Sequence, residues 1–225
     1  MVDQGKQLAC RLDVLYQHMK VARVDAYLVL SSDAHLNEYV LEYSRRRTAI
    51  TGFRGSAGDA IICPDGNHIF VDSRYYLQAD EEGNLNKFRI HKLGLTGEHT
   101  LSQWLTEMER ERGSIRVGFD PFVVSMQAHA AYSSALHSTD SEMVPIDANL
   151  VDAVWEDQPA PPSNAIYALH ESVTGASVAD KLSSVRKEML EEGANQLVLT
   201  KLDEIAWVTN LRGSDISFNP VFESY

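Results

Sequence analysis

The sequence predicts an α/β fold in which a mixed β-sheet is flanked by helices, followed by the beginning of a second, related domain. Three observations predict this fold. Short apolar strands alternate with amphipathic helices, one pair of strands is joined by a tight turn, and segments of the first half recur in the second. Strands separated by helices pair in parallel and strands joined by a tight turn pair antiparallel, so the sheet should contain both arrangements.

The first half opens with a helix and a strand. Apolar residues recur at helical spacing through "LACRLDVLYQHM" and predict an amphipathic N-terminal helix. The run "DAYLVLS", residues 25–31, is rich in strand formers and predicts a buried strand. We expect Ser32 or Asp33 to cap a second helix that runs through Tyr39.

A β-hairpin gives the clearest local signal. In "AIICPDGNHIFVD", two apolar runs flank residues 64–67, whose Pro, Asp, Gly and Asn suit a tight turn. A helix is expected from Arg74 to Glu82. The alternation then continues, with strands at "KFRIHKL", "IRVGFD" and "EMVPID", helices at Thr100–Arg112 and Ser125–His137, and a short helix at "NLVDAVW".

A proline-rich stretch, "EDQPAPPSN", predicts the boundary between two domains, because prolines stop helices and stiffen the chain. We expect a first domain at residues 1–157, a linker at 158–164 and the first part of a second domain at 165–225. The second part should contain a short strand at "YALH", a helix at Ser177–Glu192 with Gly193 at its C-cap, a strand at "QLVLT" and a helix at "KLDEIAWVTN".

The second half repeats the first. The segment "QHMKVARVDAYLVLSSDAHL" matches "EMLEEGANQLVLTKLDEIAW", and "TGFRGSAGDA" matches "TNLRGSDISF". Leu28 aligns with Leu197 at an offset of 169 residues and Thr51 with Thr209 at 158, so the first copy carries 11 more residues between these points. Because the first copy continues into a hairpin that the second copy lacks, we expect this chain to be the front part of a longer protein.

Charge and hydropathy exclude several classes of partner. The formal net charge of −12 repels phosphate backbones, so no nucleic acid is expected. No apolar run approaches the ~20 residues of a membrane span, and no secretory signal is present, which predicts a cytoplasmic protein without a membrane partner. The basic run Arg45–Arg47 is either an anion patch or a solvated turn, and its shortness favours the turn.

The chemical motifs are weak. "FRGSAG" has Arg54 where a nucleophile elbow needs its first glycine, so a hydrolase that uses Ser56 or Cys63 is a minor alternative. The loop also lacks the Lys-Ser/Thr ending of a phosphate-binding loop, and the eight histidines form no metal-ligand pattern. We therefore predict no catalytic and no metal residue in this chain.

Polar residues follow two of the predicted strands. Asp33, His35 and Glu38 come after the first buried strand, and Arg74 follows the second strand of the hairpin, beside Asp72. Ligand sites in α/β sheets lie at strand ends, so Glu38 and Arg74 are candidates for a pair that orders a surface facing a partner. The alternative is structural, with Asp33 as a cap and Arg74 in an ordinary salt bridge.

Four segments together resemble the aminopeptidase P (Xaa-Pro aminopeptidase) family in its three-domain eukaryotic-type form, and the similarity runs from Leu8 to Tyr225. They are "DAHLNEY", "ITGFRGSAGDAIICPDGNHIFVDSRYYLQADEE", "NLVDAVWEDQPAPP" and "DEIAWVTNLRGSDISFNPVFESY". The resemblance implies two related domains of the creatinase/prolidase N-terminal type, the second incomplete here, and then a catalytic pita-bread domain that this chain lacks. His35 and Glu38 match the family motif D-A-H-x-x-E-Y, and Arg74 matches the arginine of D-G-R-Y-F-L-Q-A.

The family removes the N-terminal residue from peptides whose second residue is proline. The resemblance implies two divalent metal ions, manganese or zinc, held by Asp, Asp, His, Glu and Glu in the catalytic domain. None of those ligands can be assigned in these 225 residues. His35, Glu38 and Arg74 carry over as substrate-access or domain-interface residues, and a homodimer is a possible assembly.

We therefore predict that the chain is the non-catalytic N-terminal region of a metalloaminopeptidase, a hydrolase of Xaa-Pro peptides, and that it shapes substrate access and assembly. The chain alone is predicted to be inactive, and its partner is the missing C-terminal catalytic domain. The alternative is a naturally short, non-enzymatic binding or dimerisation module with the same fold.

Overall fold

The computed structural model of the protein describes residues 2–82 and 87–225. The chain forms two compact units, one of residues up to 36 with 42–159 and one of residues 37–41 with 160–225. The strands are β1 Ala26–Val29, β2 Asp59–Ile62, β3 Asn67–Val71, β4 Phe88–Lys92, β5 Arg116–Phe119, β6 Glu142–Pro145, β7 Tyr167–Ala168 and β8 Leu211–Arg212. The α-helices are α1 Val2–Ala22, α2 Arg46–Thr51, α3 Tyr76–Glu81, α4 Leu101–Arg112, α5 Met126–Ala135, α6 Glu171–Thr174, α7 Val178–Glu191 and α8 Leu202–Thr209.

The first unit is built on a six-stranded sheet in the order β4-β3-β2-β1-β5-β6. Strand β2 is antiparallel to both of its neighbours, β1 and β3, whereas β3 is parallel to β4 and β5 is parallel to β1 and β6. Five strands therefore run in one direction and β2 runs in the other. The predicted mixed sheet and its β2–β3 hairpin are confirmed, and the hairpin turn is closed by a hydrogen bond from Gly66 N to Cys63 O of 3.0 Å.

Apolar side chains cover both faces of this sheet, as the alternation within β1 shows. Tyr27 and Val29 pack into a cluster with α1, α2 and α3, while Ala26 and Leu28 pack into a second cluster with α4 and α5. All four β1 residues are buried. Burying a side chain of this size contributes about 1.5–3 kcal/mol, so the central strand is fixed from both sides. The predicted amphipathic N-terminal helix (α1) and the helix predicted at Thr100–Arg112 (α4) are confirmed.

The helix predicted from Ser32 or Asp33 to Tyr39 is wrong. The Asp33 carboxylate accepts a hydrogen bond from His35 N at 3.0 Å, and Asp33 O accepts one from Leu36 N at 3.2 Å. Leu36 has a φ of 55°, which ends any right-handed helix at this point. Asp33 therefore closes a turn, as Asp side chains commonly do, and the next α-helix begins only at Arg46.

Two further elements differ from the sequence prediction. "NLVDAVW" forms successive turns, closed by hydrogen bonds from Asp152 N to Asn149 O and from Val154 N to Val151 O, rather than a helix. "QLVLT" adopts no strand pairing in the described part of the chain. A strand needs a hydrogen-bonding neighbour, and the pairs described in residues 160–225 are those between β7 and β8.

The second unit contains the other predicted elements. Helix α7 begins at its cap, Ser177, and ends before Gly193, whose φ of 69° allows Ala194 N to bond Met189 O at 2.7 Å. Helix α8 ends at Asn210, whose φ is 56°. Lys181 of α7 donates to Trp207 O at 2.9 Å and so satisfies a carbonyl at the C-terminus of α8.

The predicted repeat is visible in hydrogen bonds at the ends of α2 and α8. Thr51 Oγ1 donates to Arg47 O at 2.7 Å, and Thr209 Oγ1 donates to Ile205 O at 2.7 Å. Each threonine is followed by a residue with positive φ, glycine in the first copy and asparagine in the second. The two "RGS" segments therefore leave their helices in the same way.

Candidate functional site

In the first unit, the C-terminal ends of the parallel strands lie together along one side of the sheet, and we call this side the sheet edge. Strands β1, β3 and β5 all end at this edge, and β2 begins there because it runs in the opposite direction. The loop that contains His35 follows β1, and the turn that contains Arg74 follows β3. Since β1 and β3 are the two neighbours of β2, these segments lie on either side of the entry to β2.

Arg47 holds the segment that enters β2. Its side chain is buried, with a relative exposure of 5%, and its guanidinium donates to Phe53 O at 3.0 Å and to Gly55 O. The guanidinium carbon lies 4.8 Å from the centre of the Phe53 ring. Burial lowers the pKa of Arg47 to about 10, against the opposing effect of the nearby Asp59 and Glu82 carboxylates. Arg47 therefore remains charged at neutral pH and fixes two carbonyls of this segment.

Gly55 allows this segment to pack closely. A Cβ atom at position 55 would collide with the Phe53 ring and would lie 2.8 Å from Tyr75 Cδ1. The equivalent glycine of the second copy, Gly213, would place a Cβ 2.6 Å from Phe222 Cβ. Glycine is therefore required at both positions by steric contact rather than by backbone conformation.

Arg74 and its neighbours form the exposed part of the edge. Its guanidinium donates to both carboxylate oxygens of Asp72, at 3.0 and 2.8 Å, and lies 5.1 Å from the Tyr75 ring centre. The hydrogen bond from Arg74 is the main cause that lowers the pKa of Asp72. The Tyr75 hydroxyl in turn bonds Ser56 Oγ. These bonds orient an arginine side chain that is still 65% exposed and so available to a partner.

The loop after β1 is tied to the start of β2 and to the turn that follows β5. Ser31 donates its backbone N–H to Asp59 Oδ1 at 3.0 Å, and Ser32 Oγ donates to Val123 O at 2.7 Å. Burial raises the pKa of Asp59, while the bonds from Ser31 act in the opposite direction. The turn at Asp33 then carries His35, which is partly buried. The backbone leading to His35 is thus held by the start of β2 and by the turn that follows β5.

The three predicted site residues do not all belong to one unit. His35 and Arg74 lie in the first unit, and the exposed Glu38 lies in the segment 37–41, which belongs to the second. Arg74 takes Asp72 as its carboxylate partner. The predicted pairing of Glu38 with Arg74 therefore stays a prediction.

Sequence reasoning missed the structural role of the arginine run that begins at Arg45. The favoured solvated turn is wrong for two of its members, because Arg47 is buried and Arg46 makes a two-bond salt bridge to Asp152, at 2.7 and 2.8 Å. These two arginines begin the short helix α2, which ends at the "TG" step of "RRRTAITGF". The helix is only six residues long and too short for periodicity to reveal.

The contacts of Ser56 and Cys63 give no support to the alternative of a hydrolase that uses either residue. Cys63 is buried, and Ser56 bonds the Tyr75 hydroxyl rather than an imidazole. Within residues 2–82 and 87–225, no three His, Cys, Asp or Glu side chains are grouped so that they could hold a metal ion. In the same residues, no helix is both long and apolar enough to cross a membrane.

Comparison with known protein families identifies the fold. The family model described as Creatinase/Prolidase N-terminal domain matches residues 11–154, and a second model with the same description matches residues 157–225. The chain belongs to the creatinase/prolidase N-terminal domain family. Two matches, one to each half, agree with the internal repeat and with the related helix ends of α2 and α8.

Curated relatives of this creatinase/prolidase-type chain at about 40% identity include Xaa-Pro aminopeptidases. It is 40% identical over 225 residues to a probable Xaa-Pro aminopeptidase P of Coprinopsis cinerea, covering 100% of this chain and 35% of that protein. It is 41% identical over 203 residues to the Xaa-Pro aminopeptidase ApepP of Drosophila melanogaster, covering 90% of this chain and 33% of that protein. The chain thus spans about a third of the length of these curated relatives.

A solved structure confirms the architecture. The X-prolyl aminopeptidase of Caenorhabditis elegans, described as a cytosolic enzyme with a di-nuclear active site, superposes with a TM-score of 0.84 at 28% identity. The match covers 95% of this chain and 36% of that one. The predicted mixed α/β fold and the resemblance to aminopeptidase P are therefore both confirmed.

Proposed function

We propose that this chain is the non-catalytic N-terminal region of a metal-dependent Xaa-Pro aminopeptidase, a hydrolase that releases the first residue of peptides with proline second. The observation that supports this most is the identity of about 40% over all 225 residues to a protein of that name nearly three times as long. The parent enzyme would act in the cytoplasm and use two divalent ions, manganese or zinc. A homodimer is the proposed assembly.

The chemistry of bond cleavage would lie outside these residues, because the described part of the chain offers no metal-holding group. When bound in the parent enzyme, a metal pair would supply Lewis-acid activation of the scissile carbonyl and of water. The residues of this chain would instead restrict and orient what reaches that centre.

The sheet edge with His35 and Arg74 would provide this restriction, and Glu38, which belongs to the second unit, is a separate candidate for the same role. Arg74 is held by Asp72 and Tyr75, so little side-chain entropy remains to be lost when its guanidinium meets a carboxylate or a carbonyl. Arg47 and Gly55 fix the adjoining segment from beneath. This arrangement suits a rigid wall beside a cleft rather than a mobile lid.

The test is peptide hydrolysis by the natural full-length protein. Purified parent protein with manganese should release the first residue of an Xaa-Pro peptide and leave the matched Xaa-Ala peptide intact, and a chelator should abolish the activity. Cleavage without proline preference, or none after metal is restored, would contradict the proposal. A stable, inactive natural product of 225 residues would instead favour the binding-module alternative.

A further inference from the structure

Two histidines of neighbouring strands lie on the sheet face that α4 covers. His91 of β4 is 1% exposed, and its ring stacks on that of Phe70, with the ring centres 4.5 Å apart. His68 of β3 is partly buried, and its ring centre lies 4.7 Å from that of Trp104 on α4. His68 Nδ1 lies 2.9 Å from His91 Nε2. This contact requires a proton on one of the two nitrogens, because two bare nitrogens or two N–H groups would repel each other.

Glu98 decides which nitrogen carries that proton. His91 Nδ1 lies 3.3 Å from Glu98 Oε2, and neither atom makes a well-aligned hydrogen bond in the described residues, so each depends on the other. A proton on His91 Nδ1 is attracted to the carboxylate, whereas a bare Nδ1 would place two acceptors against each other. His91 Nε2 is then the acceptor, and His68 Nδ1 donates to it. We call His68, His91 and Glu98 the histidine latch.

The histidine latch joins two strands to the loop of residues 93–99, which follows β4. Because β4 is parallel to β3, this loop leaves the sheet at the sheet edge. Residues 94–97 are exposed, and the turns of the loop are closed by hydrogen bonds from Leu95 N to Lys92 O at 3.1 Å and from Glu98 N to Leu95 O at 3.2 Å. A segment with so few buried groups opens at a low free energy. The contact of Glu98 with His91 opposes that opening.

Protons weaken the histidine latch, because its two rings cannot both be charged in this position. Two imidazolium ions with nitrogens 2.9 Å apart would repel strongly in a site shielded from water. Burial lowers the pKa of both histidines to about 4, so both take up protons more readily once the loop opens. The other charged groups around the pair are Arg89 of β4, Arg112 of α4 with its partner Asp65 of the hairpin turn, and His99 of the loop with its partner Glu107 of α4.

We propose that the histidine latch is a pH-sensitive device that holds loop 93–99 on the sheet at neutral pH and releases it in acid. At neutral pH, His68 and His91 each carry their proton on Nδ1. Below about pH 6.5, the ordinary pKa of histidine, proton uptake by the freed imidazoles favours the open loop. The release is local, because β4 ends the strand order of the sheet while β1 lies in its interior. The device does not depend on the proposed peptidase activity, since all its groups lie in the first unit.

Nitrogen NMR of the imidazole rings tests the order of the protons. In the isolated chain at pH 7.5, both His68 and His91 should have a protonated Nδ1 and a bare Nε2. Their signals are assigned by their loss in His68→Phe and His91→Phe. A proton on Nε2 of either residue would overturn the proposal, because one of the two contacts would then join atoms that repel.

Hydrogen–deuterium exchange of backbone amides tests the release of the loop. After correction for the intrinsic effect of pH on exchange, the amides of Leu95 and Glu98 should lose protection at least about tenfold between pH 7 and pH 5. The amides of β1 should stay protected over the same range. Unchanged protection at residues 95 and 98 would overturn the proposal. An equal loss at β1 would also overturn it, because the chain would then be unfolding as a whole.

A matched pair of variants connects the release to the histidine pair. His91→Phe keeps a ring against Phe70 but takes up no proton and disconnects His68 from the loop, so amides 95 and 98 should no longer respond to pH. His99→Phe changes a histidine of the same loop that faces Glu107 instead, and should keep the tenfold response. A response that survives in His91→Phe or disappears in His99→Phe would overturn the proposal. The two wild-type measurements decide the question even where a variant fails to fold.

Discussion

At the residue scale, the molecule uses its arginines in two opposite ways. Arg47 is buried and binds backbone carbonyls, so its charge serves the position of a loop. Arg74 is exposed and clasped by Asp72, so its charge is directed outward. We therefore expect replacement of Arg47 to lower stability and replacement of Arg74 to lower activity.

Replacing Arg74 should affect activity more than stability. In the full-length enzyme, we expect Arg74→Ala, and likewise Glu38→Ala, to lower kcat/KM for an Xaa-Pro peptide about tenfold, a loss of about 1.4 kcal/mol. Because Arg74 is mostly exposed, its replacement should change the free energy of unfolding of the protein by no more than about 0.5 kcal/mol. Arg110→Ala, at a 73% exposed side chain on α4, is the control for activity. Comparable losses in activity and stability would mean that the residues are merely structural.

Replacing Arg47 should have the reverse effect. Arg47→Ala leaves Phe53 O and Gly55 O without their donor inside the fold, and each buried unpaired carbonyl costs about 1–3 kcal/mol. We expect the free energy of unfolding, measured by urea titration of the isolated chain, to fall by about 2–4 kcal/mol. Arg110→Ala again serves as the control and should change it little. A change below about 0.5 kcal/mol for Arg47→Ala would contradict the structural role.

A pair of histidines, one buried (His91) and one partly buried (His68), predicts how stability depends on pH. His68 Nδ1 and His91 Nε2 lie 2.9 Å apart, and burial lowers the pKa of each to about 4. The unfolded chain therefore binds more protons at these sites between about pH 6.5 and 4, so the free energy of unfolding should fall as the pH falls through that range. Glu98 and His99 also face His91. The positive charges of Arg89 and Arg112 further lower the pKa of His68.

The measurement is urea unfolding of the isolated chain at pH 7 and pH 4.5. His91→Phe should lessen the loss of stability between these two pH values, because one site no longer takes up a proton on unfolding. His18→Gln, at a partly buried histidine of α1, should leave the loss as in the wild type. An unchanged pH dependence in His91→Phe would show that this pair does not govern it.

At the scale of elements, sequence patterns identified what periodicity and turn chemistry control. Helices α1 and α4 and the β2–β3 hairpin follow from apolar spacing and from the Pro-Asp-Gly turn. The helix predicted at residues 32–39 was wrong because the Asp33 carboxylate accepts a hydrogen bond from His35 N. Asp33 therefore closes a turn instead of capping a helix. The strand predicted at "QLVLT" was wrong because a strand forms only beside a hydrogen-bonding partner strand, which a local sequence pattern cannot reveal.

The site was only partly predictable for a related reason. His35 and Arg74 follow predicted strands, so their place at a sheet edge could be inferred from the chain order. The contacts that hold the surrounding segments come from residues distant in sequence, such as Asp59, which accepts a hydrogen bond from Ser31 N, and Arg47, which donates to Gly55 O. No local sequence pattern predicts a buried arginine, or an aspartate that accepts a hydrogen bond from a neighbouring segment.

Glycine substitutions test the close packing at the start of β2. Gly55→Ala would drive a methyl group into the Phe53 and Tyr75 rings, so we expect a loss of about 2–4 kcal/mol in the free energy of unfolding. The comparison is Gly97→Ala, at a φ of 84° with open space around it, which should lose only about 1–2 kcal/mol from backbone strain. A smaller loss for Gly55→Ala than for Gly97→Ala would refute the steric argument.

At the scale of the whole molecule, the two units are unequal copies of one design. Each has a helix that leads to an "LVL" segment and a short helix that ends at a residue with positive φ. The first copy buries its "LVL" segment in a sheet of six strands, and the second leaves it exposed.

The isolated chain should be inactive toward Xaa-Pro peptides with or without added manganese, because the metal ligands that the resemblance implies belong to the catalytic domain. The measurement is release of the first residue of the peptide. Activity that copurifies with the 25.1 kDa chain would contradict this.

The natural coding sequence beyond the codon for Tyr225 tests the central claim most directly. Our account predicts that it continues into a hairpin comparable to β2–β3, and that it later supplies the spaced Asp, Asp, His, Glu and Glu of a two-metal site. A stop codon directly after Tyr225 would contradict it. The chain would then be a non-catalytic relative of the Xaa-Pro aminopeptidases.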